Sequence, residues 1–135
     1  MIEMLVSGTV LFMLDQTAKR LVEARAGTSL RYGPVEIRHV ACRRQFYTRT
    51  FVRRSLVAVW VAALASSALL ILGDAIAGTL ALVAIGGALG GAASNLLDIL
   101  RDRSVRDYID LGWWPVFNMA DVAIVAGLGL TFVRF

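Results

Sequence analysis

Four apolar runs separated by polar connections set the layout of the chain. Ser55 to Leu72 and Ala75 to Leu97 contain no charged residue, and each is close to the roughly 20 residues that an α-helix needs to cross the hydrocarbon core of a bilayer. Only Gly73 and Asp74 lie between them, so these two runs predict a tight antiparallel helical hairpin broken at the glycine. The first run, Ile2 to Val22, is interrupted by Asp15 and Lys19, and the last, Pro115 to Val133, carries Asp121 near its start. The pattern predicts helices over about 2–22, 55–72, 75–98 and 115–133, with a polar loop over 23–54. Within that loop, TSLRYGPVEIRHV (Thr28 to Val40) alternates roughly between apolar and polar residues around Gly33-Pro34, which predicts two short strands or a small hairpin on the membrane surface.

Composition turns these runs into membrane spans. With 58% hydrophobic and 18% charged residues in 135, the chain is too apolar for an ordinary soluble domain. The expected fold is an all-α membrane protein of four transmembrane helices, a single integral membrane domain over 1–135, with a small β-prone extramembrane segment between helices 1 and 2. A signal peptide is the rival reading of the first run, but it lacks a positive n-region, and Asp15 and Lys19 stand where a small-residue cleavage site belongs. The single cysteine, Cys42, excludes an intrachain disulfide. His39 has no second ligand at metal spacing, so neither a metal nor another cofactor is expected. The loop arginines, among them Arg25, Arg31, Arg38, Arg43, Arg44, Arg49, Arg53 and Arg54, lack the aromatic interleaving or zinc spacing of a nucleic-acid module. Anionic lipid headgroups are their expected partner, and no nucleic acid is.

The acids carry the candidate chemistry. Consecutive membrane helices alternate in direction, so Val22, Ser55, Asp98 and Pro115 share one membrane face. Asp98 then ends the third helix there, and Asp121 lies roughly 9 Å inside the fourth at 1.5 Å per residue. Asp15 lies at a similar depth in the first. Ionisable groups at membrane depth are costly and by default mark a functional site facing the bundle interior. Two close carboxylates share a proton, so that one serves as general base on a water while the other donates to a substrate carbonyl. Helix capping or snorkelling to the interface is the bland alternative. Asp15 and Lys19, four apart on one helical face, are expected to form a supporting ion pair near the interface. Asn95 precedes Asp98 by three residues and Asn118 precedes Asp121 by three, so each amide is placed to hold its carboxylate or an extended substrate backbone. The small residues from Gly86 to Ser94 permit close helix approach. Trp113, Trp114 and Tyr108 suit the headgroup belt, and Pro115 suits the first turn of the last helix.

Three stretches together resemble a known family: Gly90-Gly91-Ala92-Ala93-Ser94-Asn95-Leu96-Leu97-Asp98, Val105-Arg106-Asp107-Tyr108-Ile109-Asp110, and Trp114-Pro115-Val116-Phe117-Asn118-Met119-Ala120-Asp121. They are similar to the GGAxGNxxDR, VxDF and WPxFNxAD patterns of the lipoprotein signal peptidases, signal peptidase II. Asp15-Gln16-Thr17-Ala18-Lys19 likewise resembles the family's DxxxK. The resemblance implies a four-helix aspartic endopeptidase of the bacterial inner membrane. Such an enzyme is multi-pass, has its active site at the outer face, and cleaves prolipoprotein signal peptides before the diacylglyceryl-cysteine. It implies Asp98 and Asp121 as the catalytic pair, Asn95, Asp107, Asn118 and Ala120 as neighbouring motif positions, and Asp15 and Lys19 as support.

The chain departs from that pattern in places. The arginine that usually follows the first aspartate is Ile99 here, and Arg101 is a candidate replacement one turn on; the loop glycine is Arg103. The family's NxGAAF segment aligns with Ala41-Cys42-Arg43-Arg44-Gln45-Phe46, where only Phe46 matches, so Arg43, Arg44 and Phe46 are the expected substrate loop of a divergent member. The arginines between Glu23 and Arg54 taken alone predict that this loop is cytoplasmic; the resemblance implies the reverse, and the expectation follows the resemblance. The alternatives are a non-catalytic or re-specialised relative that binds or processes another lipidated or signal-like segment, and a small transporter with a proton relay.

Overall fold

The computed structural model describes residues 1–25, 27–42, 49–73, 75–76 and 78–133. Helix α1 runs Ile2–Ala24, strands β1 and β2 are Leu30–Tyr32 and Val35–Cys42, and α2 is Thr50–Leu72. Helix α3 is Thr79–Asp102, strand β3 is Val105–Asp110, and α4 is Met119–Val133. Helices α2 and α3 are long and apolar enough to cross a membrane, and α4 holds a shorter apolar stretch, Met119–Thr131.

The expected hairpin in the polar loop is present. Gly33 takes a positive φ of 61°, which glycine adopts without a side-chain clash, and Tyr32 faces Val35 across the turn. The sheet has a third strand that the hydrophobic pattern did not indicate. β3 pairs antiparallel with β2, Val40 opposite Asp107 and Ala41 opposite Arg106, with an irregularity between Ile37 and Val40. Its sequence, VRDYID, alternates and contains β-branched and aromatic residues, but its charges read as loop.

Helix boundaries move in ways that matter for the site. α3 does not end at Asp98. It continues to Asp102 and stops where Arg103 adopts a left-handed φ of 54°; the chain then turns back into β3. α4 starts at Met119 rather than Pro115 because Phe117 is held beside β3, its N–H donating to Ile109 O at 3.1 Å and its carbonyl accepting from Ile109 N–H at 2.8 Å. Asn118 then closes the helix start. Its Oδ1 accepts the Asp121 N–H at 3.0 Å, and Asp121 Oδ2 accepts the Asn118 N–H at 3.1 Å, a reciprocal cap. Asp121 therefore lies in the first turn of α4.

Helices α1, α3 and α4 form the packed unit, and glycines let them approach. A Cβ on Gly90 would collide with the Gly8 backbone of α1, and one on Gly91 would lie 2.7 Å from Ala120 O of α4. α2 stands apart, with no buried residue; Trp60 ties it to α3 by donating Nε1–H to Leu89 O at 3.0 Å. Between α2, α3 and α4 this leaves an apolar groove of about 560 Å³, with Trp60, Leu89, Ala92, Asn95, Ile99 and Ile124 in its wall.

Candidate active site

Among the described residues, the largest fully buried side chains are Lys19, Asn118, Asp15, Asp98 and Ser94, and all belong to one polar cluster where α1, α3, β3 and the start of α4 meet. Asp15 and Lys19 do pair, Nζ to Oδ2 at 2.6 Å. Both side chains are fully enclosed by the protein. Asp15 also fastens α4: its Oδ1 accepts the Ala120 N–H at 3.0 Å and the Tyr108 hydroxyl at 3.4 Å, while its Oδ2 accepts Ser94 Oγ–H at 2.6 Å. A carboxylate at the positive end of a helix is favourably placed. Ala120, itself fully buried, serves through its backbone.

Asp98 does not meet Asp121 in the manner expected of a catalytic pair. Its Oδ2 lies 2.9 Å from Lys19 Nζ and its Oδ1 2.6 Å from Arg106 Nη2. Gln16 Nε2 donates to Oδ1 at 3.1 Å, and the Arg106 backbone N–H donates to Oδ2 at 3.2 Å. Two cations and two neutral donors surround this carboxylate, which has no exposure. Sequence spacing could not show this, because the partner Arg106 is brought back by the turn at Arg103.

The carboxylates that do share a neighbourhood are Asp107 and Asp121. Asn118 joins them: its Nδ2–H donates to Asp107 Oδ1 at 2.8 Å, and its backbone and Oδ1 engage Asp121. Asn95 was expected to hold Asp98 or an extended substrate backbone. It instead donates Nδ2–H to Asp121 Oδ1 at 2.8 Å, while its Oδ1 accepts from Lys19 Nζ at 2.8 Å and from Asn118 Nδ2 at 3.0 Å. Burial first, and then the negative charge of Asp121, push the Asp107 carboxyl up to about 6, against the bond from Asn118 and the charge of Lys19. Asp121 stays partly open to solvent.

Arg106, Gln16, Ser94 and Tyr108 are site residues that sequence reading did not single out as such. Gln16 and Ser94 adjoin motif residues, and their placement one turn from Lys19 and Asp98 was the available signal. Arg101 is exposed and does not replace the arginine missing at Ile99. Arg43, Arg44 and Phe46 lie outside the described residues.

Comparison with known proteins gives a consistent picture. The family model described as signal peptidase (SPase) II matches residues 8–135. Lipoprotein signal peptidases from Syntrophomonas wolfei and Moorella thermoacetica are 63% identical over 38 residues and 60% identical over 40. One from Nitratidesulfovibrio vulgaris is 48% identical over 54. These segments cover 28%, 30% and 37% of this chain but span only 26%, 27% and 33% of the relatives' own lengths. The fold is shared with a bacterial membrane enzyme solved by the in meso method at 1.9 Å resolution, with a TM-score of 0.81 at 21% identity over 97% of this chain and 90% of that one. A second bacterial membrane enzyme, solved by the same method at 2.3 Å resolution, gives 0.80 over 97% and 85%. A match that runs through all four helices and all three strands places this chain in the signal peptidase II family.

Proposed function

We propose that the protein is a membrane aspartic endopeptidase that removes signal peptides from lipid-modified prolipoproteins before the diacylglyceryl-cysteine, with Asp107 and Asp121 as its acidic pair. Asp98, the acid that the sequence pattern suggested, is the anchor of this pair and not a member of it. The observation that carries the reading is the Asn118 bridge between two carboxylates, one of which is pushed up to about 6. Two carboxylates whose surroundings push them apart in proton affinity supply an acid and a base from the same residue type.

In this reading Asp107 holds the proton and Asp121 serves as the base. Asp121 takes a proton from a water whose oxygen attacks the scissile carbonyl carbon, and Asp107 gives its proton to the carbonyl oxygen. The tetrahedral diol then collapses: Asp121 returns its proton to the departing amine nitrogen, the C–N bond breaks, and Asp107 regains the hydroxyl proton. Asn95, fixed by Lys19, and Asn118 keep the two carboxyls in place. The apolar groove has Asn95 in its wall and suits a hydrophobic signal segment lying in lipid. All four helices cross the membrane, and the polar cluster with its covering sheet lies at the outer face of the inner membrane. Trp113 and Trp114, both exposed, sit at headgroup level.

The test is cleavage of a diacylated prolipoprotein by the purified protein in detergent. Asp107→Asn and Asp121→Asn each lower turnover by roughly 1,000-fold or more with the melting temperature retained, since an amide can neither take nor give the proton. Near-normal turnover in either variant would reject the pair. A comparable loss in Asp98→Asn with unchanged melting would return Asp98 to the chemistry.

A further inference from the structure

We propose that Arg106 is the positioning residue that fixes Asp107 against Asp121 from strand β3. The inference rests on the peptidase reading for its kinetic part, and on geometry alone for its placement. Side chain and backbone of Arg106 grip one carboxylate together: Nη2–H donates to Asp98 Oδ1 at 2.6 Å and the main-chain N–H donates to Oδ2 at 3.2 Å. The same guanidinium reaches α1 twice, Nη2–H to Gln16 Oε1 at 3.0 Å and Nη1–H to Glu23 Oε2 at 3.1 Å. On the other side of the residue, the Arg106 carbonyl accepts from Asn118 Nδ2 at 3.4 Å, the same amide that holds Asp107. The peptide leading into Asp107 is thus tied to α3 at its N–H and to the start of α4 at its carbonyl.

Strand geometry explains why residue 106 can do this. Successive side chains point to opposite faces, so a strand that turns Arg106 toward the α1 and α3 acids turns Asp107 toward Asn118. Ile99 is buried and lines the apolar groove, and Arg101 is exposed. Lys19 is already divided among Asp15, Asp98 and Asn95. Planar, multidentate donation is an arginine property that lysine reproduces only in part.

The charged groups acting on Asp107 are Asp121 from α4, Lys19 from α1 and Asp98 from α3, with Arg106 adjacent in the strand; opposite it on β2 stands the uncharged Val40. Taking the guanidinium away leaves an excess of negative charge, which favours the protonated carboxyl.

The experiment compares the unmodified protein with Arg106→Gln and Arg106→Lys. It measures kcat and KM on a diacylated prolipoprotein between pH 5 and 9, melting temperature, and the Asp107 titration by carbon-13 carboxyl resonance. In Arg106→Gln we expect kcat to fall by about 100-fold, the scale of a displacement of about 1 Å in a catalytic group. KM should change little, and Asp107 should titrate at higher pH. Arg106→Lys, which keeps the charge but not the fork, should titrate near the unmodified protein and recover part of the rate. A purely structural Arg106 would give lower melting temperatures with the Asp107 titration and the rate per folded molecule unchanged, which overturns the proposal. If the unmodified protein cleaves nothing, the peptidase reading fails separately. The carboxyl titration still decides the placement, because an unmoved Asp107 resonance in Arg106→Gln refutes it.

Discussion

Lys19 is almost fully enclosed and faces Asp15, Asp98 and the Asn95 carbonyl within 2.6 to 2.9 Å. Removing one partner of a buried ion cluster leaves uncompensated charge, at a cost on the order of 3–5 kcal/mol. Lys19→Met should therefore lower the melting temperature in detergent steeply, and adding Asp15→Asn should restore part of it; equal melting of single and double variants would show that the pair is not coupled. Asp107 makes a prediction of the opposite sign. Its folded carboxyl binds a proton more tightly than in the unfolded chain, so its contribution to stability is full below about pH 4 and is lost as pH rises through about 6. Asp107→Asn should flatten the melting-temperature profile over that window, and kcat/KM of the unmodified protein should decline above about pH 6 as the proton leaves. At this scale the sequence was legible where partners are close in the chain. The spacing of Asp15 and Lys19 foretold their bond, and Asn118 with Asp121 foretold theirs. The partners of Asp98 were not legible, because Arg106 comes from a strand whose return depends on one left-handed residue, Arg103.

The elements themselves were largely readable from apolar runs, since a bilayer demands length and a protein interior demands shape complementarity. What could not be read was how an element begins or ends when a tertiary contact overrides the local signal. Pro115 marks a helix start by its missing N–H, yet Phe117 pairs with Ile109 and Asn118 caps four residues later than the proline suggests. β3 was hidden because its alternation carries Arg106, Asp107 and Asp110. The glycines of α3, by contrast, announced close approach, and they set up a separable test. Gly91 touches the backbone of Ala120, one residue before Asp121, so Gly91→Ala has to push α4 away from α3. Overpacking of this kind costs roughly 1–3 kcal/mol, and it should reduce turnover beyond what lost stability explains, because it moves Asp121 from Asn95. Gly129→Ala in α4 meets nothing within 4 Å and should leave both turnover and melting unchanged. Equal behaviour of the two variants in cleavage and melting assays would show that helix approach at Gly91 does not set the site.

For the whole molecule the polar cluster is asymmetric: the sheet, the buried acids and their cations gather at one end of α1 and α3, and the other end of α1 carries only the exposed pair of Glu3 with the Met1 ammonium. That asymmetry forces a choice of orientation. Counting Lys and Arg near helix ends puts the loop of Arg31, Arg38, Arg49, Arg53 and Arg54 in the cytoplasm. Yet part of that charge is already engaged by the fold, since Arg38 bonds Asp110 at 2.9 Å through Nε. Arg53 and Arg54 lie within α2, where they can reach anionic headgroups on either side. A folded, headgroup-bound loop weakens the positive-inside signal, and the proposed peptidase chemistry on exported lipoproteins would require the acids outside. We therefore expect both termini in the cytoplasm. A C-terminal fusion to a reporter active only in the cytoplasm should be strongly active, and the matched fusion to a periplasm-only reporter silent. The converse result would place Asp107 and Asp121 at the cytoplasmic face, where an exported prolipoprotein could not meet them, and would refute the proposed substrate together with the orientation.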